Sequence, residues 1–317
     1  MSMPMTPAVR PTMYFVGVTT GSSSIMRVFP RWARLLDLGD CGLKGVDRPV
    51  RAPASEFRAV VEFVKNDPKS LGALVTTHKL DIVEAAGDLI DEYDALAAAL
   101  HEVSCLSKSA GRLVGHAKDP ISSALALAAI TPEGHWKRTS GEVFVIGAGG
   151  AALAIVCTLA DAAHANDRPT RIHVSDRDPA RLRHFRATVE RLNLDLPLIP
   201  VEAKTLADNA AIMAKLPPHS LVINASGLGK DAPGSPLPDG APFPLDGFAW
   251  DLNYRGDLKF LAQARAQIVA RRLRVEDGWL YFLHGWTRAI AEVFHIDIAT
   301  RGPAFDLLAQ EASDARG

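Results

Sequence analysis

Cysteine is scarce in this sequence, and its spacing excludes two classes of protein. The 317 residues include three cysteines, Cys41, Cys105 and Cys157, with no Cys-x-x-Cys pair among them. Three widely separated cysteines argue against a disulfide framework and against a zinc knuckle, and they fit a reducing compartment. The ten histidines are also scattered, without the His-Glu-x-x-His spacing of a zinc protease. We therefore expect no metal site.

Net charge and long apolar runs are lacking as well. The formal net charge is -1, which leaves no electrostatic footprint for nucleic acid or for an anionic membrane. No apolar run approaches the length that crosses a bilayer, and the first 13 residues, interrupted by three prolines, lack the apolar core of a secretory signal. The sequence predicts a cytoplasmic protein, monomer or homodimer, that binds a small molecule and neither nucleic acid nor a membrane.

The composition is that of an ordinary globular protein. Hydrophobic residues make up 48% and charged residues 22% of the chain. A length of 317 residues exceeds one typical core and predicts two domains. The chain has neither a P-loop nor a Gly-x-Ser-x-Gly elbow, so its chemistry must be sought in other motifs.

One segment carries a functional signal, a strand that runs through a glycine turn into a helix. Residues 143–146 are apolar without polar alternation, which is typical of a parallel strand covered on both faces. Gly147 permits a tight turn, Gly149 lets a pyrophosphate approach the backbone, and Gly150 keeps the first helical turn slim. The helix N-terminus then offers unpaired N–H groups to the phosphates. The segment predicts a dinucleotide site, and the alternative is a plain strand-to-helix turn.

An acidic residue follows the next predicted strand, residues 171–175. Asp176 is placed to accept hydrogen bonds from the adenosine ribose and to repel the additional phosphate of NADP. Arg177 argues in the other direction, because it could stack on adenine or bind that phosphate. We therefore expect NAD as the cofactor, with NADP as the alternative.

Strands and helices also alternate before the glycine segment, which predicts an α/β domain with a mostly parallel sheet. The predicted strands are residues 13–18, 43–50 and 71–76, the predicted helices are residues 25–38 and 54–64, and residues 102–116 are predicted to form a hairpin.

Candidate functional residues follow these elements. Residues 22–24 are three serines before a predicted helix, so one is expected as its N-cap, although hydroxyls at a strand end also suit a polyhydroxylated ligand. Lys79 begins a helix, where the macrodipole disfavours a cation. It is either a solvated lysine or an amine with a lowered pKa that trades protons. Asp119, before Pro120, is expected as the N-cap of the following helix.

The chain resembles the shikimate/quinate dehydrogenase family at five motifs, which occur in the same order as they do in the family. Residues 22–24 are similar to the family's Ser-x-Ser loop, 74–79 to its Asn-Val-Thr-x-Pro-x-Lys, 115–119 to its Gly-x-Asn-Thr-Asp, 147–152 to its glycine loop and 280–285 to its Met-Leu-x-x-Gln-Gly. The resemblance extends from the first strand to the C-terminal helix.

The resemblance implies a two-domain α/β fold and a dehydrogenase. Residues 1–120 would form a substrate-binding and catalytic domain, 121–284 a Rossmann NAD(P)-binding domain, and 285–317 a helical segment that returns to the first domain. Hydride would pass between the nicotinamide and a hydroxyl of a small carbocyclic hydroxy acid, and Lys79 and Asp119, at the cleft between the domains, would handle the proton. The implied substrate residues are Ser22, Ser24, Thr76, Ser104, Tyr254 and His284, and the implied cofactor residues are Gly147, Gly149, Gly150, Ala151, Asp176, Arg177, Ser226 and Gly278.

Several positions depart from the family's pattern. Ser104 and Ala117 stand where the family has Asn, His284 where it has Gln, and Ile25 where it has Pro. Each change alters a hydrogen-bonding partner for a polyol, so the substrate need not be shikimate itself. A protonated His284 would attract a carboxylate, whereas Tyr254 has an alternative role as a packed aromatic. Two other functions stay open, a dehydrogenase of an amino or otherwise modified analogue and a non-catalytic NAD-binding regulatory module.

Overall fold

The computed structural model describes residues 5–50, 52–161, 166–194, 196–230 and 232–316. The chain divides into two compact units. The first unit contains Met1–Lys118 and Leu283–Gly317, and the second unit contains Asp119–Phe282. Within the described ranges, no helix combines the length and the apolar character needed to cross a bilayer.

The first unit contains a six-stranded mixed sheet. Its strands are β1 (Thr12–Gly17), β2 (Gly42–Asp47), β3 (Ser70–Val75), β4 (Glu92–Tyr93), β5 (Cys105–Ser109) and β6 (Arg112–His116), in the order β2-β1-β3-β5-β6-β4. Strands β1, β2 and β3 are mutually parallel, whereas β5 runs antiparallel to both of its neighbours. The predicted mostly parallel sheet is therefore confirmed for its first three strands, with the predicted hairpin added at one side.

Helices cover this sheet because they bury one apolar face against it. They are α1 (Ile25–Leu35), α2 (Ala54–Asn66), α3 (Lys79–Ala86) and α4 (Ala95–Leu100). In α2, Phe57, Val60, Val61 and Val64 recur at helical spacing and are buried. They pack in one core cluster with Val16 and other residues of the sheet.

The second unit contains a six-stranded sheet in which all pairs are parallel. Its strands are β7 (Val143–Ile146), β8 (Ile172–Asp176), β9 (Leu198–Glu202), β10 (Leu221–Asn224), β11 (Phe248–Asp251) and β12 (Arg274–Glu276). The order β9-β8-β7-β10-β11-β12 is that of a Rossmann fold, whose strand order reverses between β7 and β10. Its helices are α5 (Asp119–Ile130), α6 (His135–Thr139), α7 (Gly150–Ala160), α8 (Pro179–Arg191), α9 (Leu206–Met213), α10 (Lys259–Arg265) and α11 (Ile268–Arg271).

Two helices at the end of the chain complete the first unit. They are α12 (Trp279–Phe294), of which Leu283 onward belongs to this unit, and α13 (Pro303–Asp314). The indole Nε1 of Trp32 on α1 donates to the carbonyl of Leu308 on α13 at 2.8 Å. The predicted return of the C-terminal helices to the first domain is confirmed.

The structure corrects one predicted helix start and one predicted helix cap. Helix α5 begins at Asp119, two residues before the predicted start at residue 121, so Asp119 lies in the first helical turn rather than at the N-cap. Ser24 occupies the N-cap position of α1, but its side chain makes no capping hydrogen bond and its backbone is helical. The serine cap expected from the sequence is therefore absent from this helix, among the residues that the structure describes.

Candidate active site

Several predicted catalytic and substrate residues of the first unit lie at one edge of its sheet. Thr76 follows β3, and both its N–H and its Oγ1 bond to the carbonyl of Val16 at the end of β1, at 3.0 and 3.2 Å. Ser104 precedes β5, and its carbonyl accepts from the N–H of Val75 at 2.8 Å. Because the parallel strands end where the antiparallel strand begins, Thr76, Ser104 and the loop after β1 share this edge.

Lys79 is fixed at the same edge by its backbone. Helix α3 begins at Lys79, and the carbonyl of Lys79 accepts from the N–H of Val103 at 3.2 Å. The preceding His78 is buried, and its Nε2 bonds to the carbonyl of Arg48 at 2.9 Å. The half-buried Lys79 therefore lies at a helix N-terminus that is anchored from two sides.

The glycine turn of the second unit lies where the strand order reverses. Gly147 has φ +110°, and a Cβ there would lie 2.6 Å from the carbonyl oxygen of Ala225, so a side chain does not fit. Gly149 leads into α7 with an extended backbone, and a Cβ there would meet nothing within 4 Å. Gly150 and Ala151 form the first turn of α7. The turn thus presents open space in front of a helix N-terminus, as a pyrophosphate requires.

Asp176 connects the second strand of the Rossmann unit to this turn. It is the last residue of β8, and its Oδ2 accepts from the N–H of Ala148 at 2.9 Å. Its Oδ1 accepts from the N–H of Asp178 at 2.9 Å. The adjacent Arg177 is exposed. The half-buried carboxylate therefore stands beside the glycine turn, at the position of a ribose-binding acid.

Known proteins resemble the chain along most of its length. A curated relative, the shikimate dehydrogenase (NADP(+)) of Sphingopyxis alaskensis, is 29% identical over 232 residues, which are 71% of this chain and 73% of the relative. The quinate dehydrogenase of Corynebacterium glutamicum in complex with NAD has a TM-score of 0.71 at 17% identity, covering 96% of this chain and 99% of that chain. The shikimate dehydrogenase of Aquifex aeolicus has a TM-score of 0.72 at 17% identity, covering 98% and 99%. No family model matches the chain.

The chain is thus similar to shikimate and quinate dehydrogenases, in sequence over 232 residues and in fold over nearly the whole chain. The structural similarities establish the two-domain fold, and the curated relative supports the resemblance found in the sequence motifs. The predicted catalytic pair is divided between the two units, with Lys79 in the first unit and Asp119 as the first residue of the second.

The hydroxyl of Ser104 has internal partners. Its Oγ accepts from the N–H of Lys118 at 2.7 Å and bonds to the carbonyl of His116 at 3.4 Å, and the residue is buried. A hydroxyl has one proton to donate, so these bonds use its donor and hold the segment that leads from β6 to Asp119. Its role as a substrate ligand stays a prediction.

The two serines predicted for the substrate loop differ in exposure. Ser22 is exposed, and its Oγ donates to the carbonyl of Thr19 at 3.0 Å. Ser24 is buried at the start of α1. The loop itself is anchored because both the N–H and the Oγ1 of Thr20 bond to Asp47, at 2.8 and 2.5 Å.

His284 is neutral at pH 7. Its ring is stacked on Phe305, with centroids 4.6 Å apart and planes 8° from parallel, and the residue is 3% exposed. Burial, together with the nearby Arg288, lowers the pKa of His284 to about 4. The positive charge on which attraction of a carboxylate would depend is therefore missing, and a ligand contact of His284 would use a neutral imidazole.

Ser226 belongs to a network at the ends of β10 and β11. The exposed Ser226 donates through Oγ to Asn224 Oδ1 at 2.7 Å, and Asn224 donates to Asp251 Oδ1 at 3.0 Å. Asp251 is buried, and burial raises its pKa to about 7. The network holds Ser226 next to the glycine turn, since Ala225 is the residue that closes over Gly147.

Gly278 and Tyr254 have packing roles in the second unit. A Cβ at the buried Gly278 would collide with the carbonyl oxygen of Leu252, so glycine is needed there for close backbone packing. The half-buried ring of Tyr254 lies 5.3 Å from that of Trp279 and 4.6 Å from that of Phe282. These contacts agree with the alternative of a packed aromatic, while the predicted ligand roles of both residues stay predictions.

A charged cluster that the sequence did not reveal lies beside the sheet edge of the first unit. Lys118 Nζ is 2.7 Å from Glu292 Oε1 and 3.4 Å from Asp94 Oδ2. The ring of His116 lies between Asp94 Oδ2, at 3.4 Å, and Ser107 Oγ, at 2.8 Å. Burial raises the pKa of Asp94, but hydrogen bonds and Lys118 outweigh this effect and lower it to about 2. The cluster fixes the chain immediately before Asp119.

Glu102 is a second acid that the sequence did not reveal. It is 1% exposed, and neither of its carboxylate oxygens has a hydrogen-bond partner among the residues that the structure describes. Burial raises the pKa of Glu102, and the charge of Lys79 opposes that rise.

The described residues contain no group of three or more His, Cys, Asp or Glu side chains arranged to hold a metal.

Proposed function

We propose that the protein is an NAD(P)-dependent dehydrogenase of the shikimate/quinate type. The observation that carries the proposal is the glycine turn at the reversal of the Rossmann strand order, with Asp176 bonded to it. A bound NAD(P) would supply the hydride acceptor. The first turn of α7 would hold its pyrophosphate, and Asp176 would hold its adenosine ribose.

Lys79 and Asp119 are the proposed catalytic pair. Oxidation of a secondary alcohol requires that the hydroxyl lose a proton as the hydride leaves carbon. Lys79 would accept that proton, for which its place at the start of α3 is suited because the helix dipole favours the neutral amine. Asp119, in the first turn of α5, would orient the amine and stabilise the ammonium that forms.

The proposed substrate is a small carbocyclic hydroxy acid. The relatives named above act on shikimate or quinate by their names, and Thr76 and the serine loop offer hydroxyls for such a polyol. The neutral His284 and the internally bonded Ser104 replace polar partners of the family's pattern. Because changed polar partners discriminate strongly between ligands, we keep quinate, shikimate and an amino or otherwise modified analogue as candidate substrates.

A second candidate function is a non-catalytic NAD-binding regulatory module. It is favoured by the internal bonds of Ser104 and by the burial of His284, since both reduce the polar groups offered to a substrate. For either function we propose a cytoplasmic protein, and the oligomeric state, monomer or homodimer, remains part of this proposal.

A measurement of cofactor reduction distinguishes the dehydrogenase from the regulatory module. The protein is incubated with NAD or NADP and with shikimate, quinate or their amino analogues, and NAD(P)H is followed at its near-ultraviolet absorbance. We expect turnover with at least one of these hydroxy acids, with the protein lacking acid as the blank. If none reacts while calorimetry still detects NAD binding, the regulatory module replaces the dehydrogenase.

The choice between NAD and NADP is expected to depend on Asp176. The Asp176→Asn variant keeps an acceptor for the N–H of Ala148 but removes the negative charge that would face a 2′-phosphate. We expect the ratio of kcat/KM for NAD to that for NADP to fall by about tenfold, because like charges in contact disfavour binding. The ratio is measured at fixed substrate in the wild type and the variant.

The neighbouring Arg177→Ala variant is the matched comparison for Asp176→Asn. If Arg177 binds the 2′-phosphate, this variant weakens NADP and leaves NAD unchanged. An unchanged ratio of kcat/KM for NAD to that for NADP in Asp176→Asn would contradict the proposed contact of Asp176 with the ribose.

A further inference from the structure

Glu102 is a buried acid without a hydrogen-bond partner next to the proposed catalytic lysine. The residue is 1% exposed, and within the described ranges both carboxylate oxygens are unpaired. The following residue, Val103, donates its N–H to the carbonyl of Lys79 at 3.2 Å, which fixes Glu102 beside the start of α3. A carboxylate removed from water without compensating bonds is costly, so its retention here calls for a role.

Lys79 is the charged group that acts on this carboxylate. Its positive charge opposes the rise in the pKa of Glu102 that burial causes. The other titratable groups at the start of α3, His78 and Asp81, are paired with each other at 3.3 Å. Asp119 is the acid that the proposed function assigns to Lys79 from α5.

We propose that Glu102 is a positioning residue that sets the protonation state of Lys79. The inference rests on the proposed function, in which the neutral amine of Lys79 receives the hydroxyl proton. An ionised Glu102 stabilises the ammonium form of Lys79, because a nearby opposite charge favours the charged form and the burial of Glu102 reduces screening by water. Glu102 thereby raises the pH at which Lys79 becomes a proton acceptor and, in the reverse reaction, keeps Lys79 charged as the proton donor.

Removal of the charge of Glu102 tests the proposal without any need for turnover. Lysine amines are dimethylated with a ¹³C label, the Lys79 signal is assigned by its absence in Lys79→Arg, and the signal is followed against pH by NMR. In Glu102→Gln, we expect the midpoint of the Lys79 titration to fall by about one pH unit, because an opposite charge nearby shifts a pKa by one unit or more. The matched control is Glu84→Gln. Glu84 is an exposed acid on α3, the helix that begins at Lys79, and its replacement should leave the midpoint of the Lys79 titration unchanged.

The activity of Glu102→Gln gives a second readout. For a substrate that the wild type oxidises, we expect the alkaline rise of kcat/KM to move to lower pH by about the same one unit. A merely structural glutamate would lower kcat/KM at all pH values without moving the profile. An unchanged Lys79 midpoint overturns the proposal, whereas a shifted midpoint in a protein that oxidises none of the hydroxy acids upholds the pairing and counts against the proposed dehydrogenase.

The wild type provides a test if Glu102→Gln fails to fold. With ¹³C-labelled glutamate, the carboxyl signal of Glu102 is expected to titrate above the ordinary range of glutamate and to move again as Lys79 loses its proton. A single transition at the ordinary pKa of glutamate, with no response to Lys79, contradicts the proposal.

Discussion

Replacement of Lys79 by alanine is expected to lower kcat/KM for the hydroxy acid by about a thousandfold, the range of a lost acid–base catalyst. Lys79 lies half-buried at the start of α3, at the sheet edge where Thr76 and Ser104 also lie. The variant removes the proposed proton acceptor and leaves the glycine turn of the second unit untouched. Initial rates of NAD(P)H formation across the pH range measure the loss.

Two controls show whether a loss of rate in Lys79→Ala is specific to the lost amine. Lys69→Ala removes an exposed lysine of the same unit and should leave kcat/KM unchanged. The Kd for NAD, measured by calorimetry, should also stay within about twofold in Lys79→Ala, since the proposed cofactor residues are on other elements. A Lys79→Ala protein that is folded, binds NAD and retains most of its rate would exclude Lys79 as the proton acceptor.

The second large effect is expected at the glycine turn. Gly147→Ala forces a side chain into a left-handed backbone and within 2.6 Å of the carbonyl oxygen of Ala225. We expect the free energy of unfolding to fall by about 3 kcal/mol, because positive φ and a steric collision both destabilise the native state. Denaturant titration followed by circular dichroism measures this loss.

Gly149→Ala is the matched substitution on the same turn. Its backbone is extended and a Cβ would meet nothing within 4 Å, so the free energy of unfolding should change by less than about 0.5 kcal/mol. The added methyl group would nevertheless occupy the space proposed for the pyrophosphate, and we expect the Kd for NAD to rise about tenfold or more. An unchanged Kd for NAD in Gly149→Ala would contradict a phosphate site at this turn.

The glycine turn was predictable because its signal is local. An apolar strand, three glycines and a following helix are adjacent in sequence, and the structure places Gly147 and Gly149 as the pattern indicates. The acid after the second strand was predictable for the same reason, since the parallel pairing of β7 and β8 brings Asp176 to the turn. Local pattern and the rules of parallel sheets were sufficient to predict the geometry of this turn, whereas its role in binding a cofactor stays a prediction.

The electrostatics of the first unit were not predictable in this way. Lys118 and Glu292 are separated by 174 residues, and nothing in either segment indicates their pairing. Glu102 resembles any surface glutamate in sequence, and only the folded chain buries it beside Lys79. The same applies to His284, because the burial that contributes most to lowering its pKa arises only in the folded chain, where its ring stacks on Phe305.

The pairing of α1 with α13 has a consequence for synthesis of the protein on the ribosome. The first unit begins with the first strand, but Trp32 finds its partner Leu308 only after the whole second unit has been made. Because domains form as units once their residues have emerged, the second unit can fold while the first still exposes the indole of Trp32 and the apolar face around it. The part of the protein that is translated first is therefore finished last.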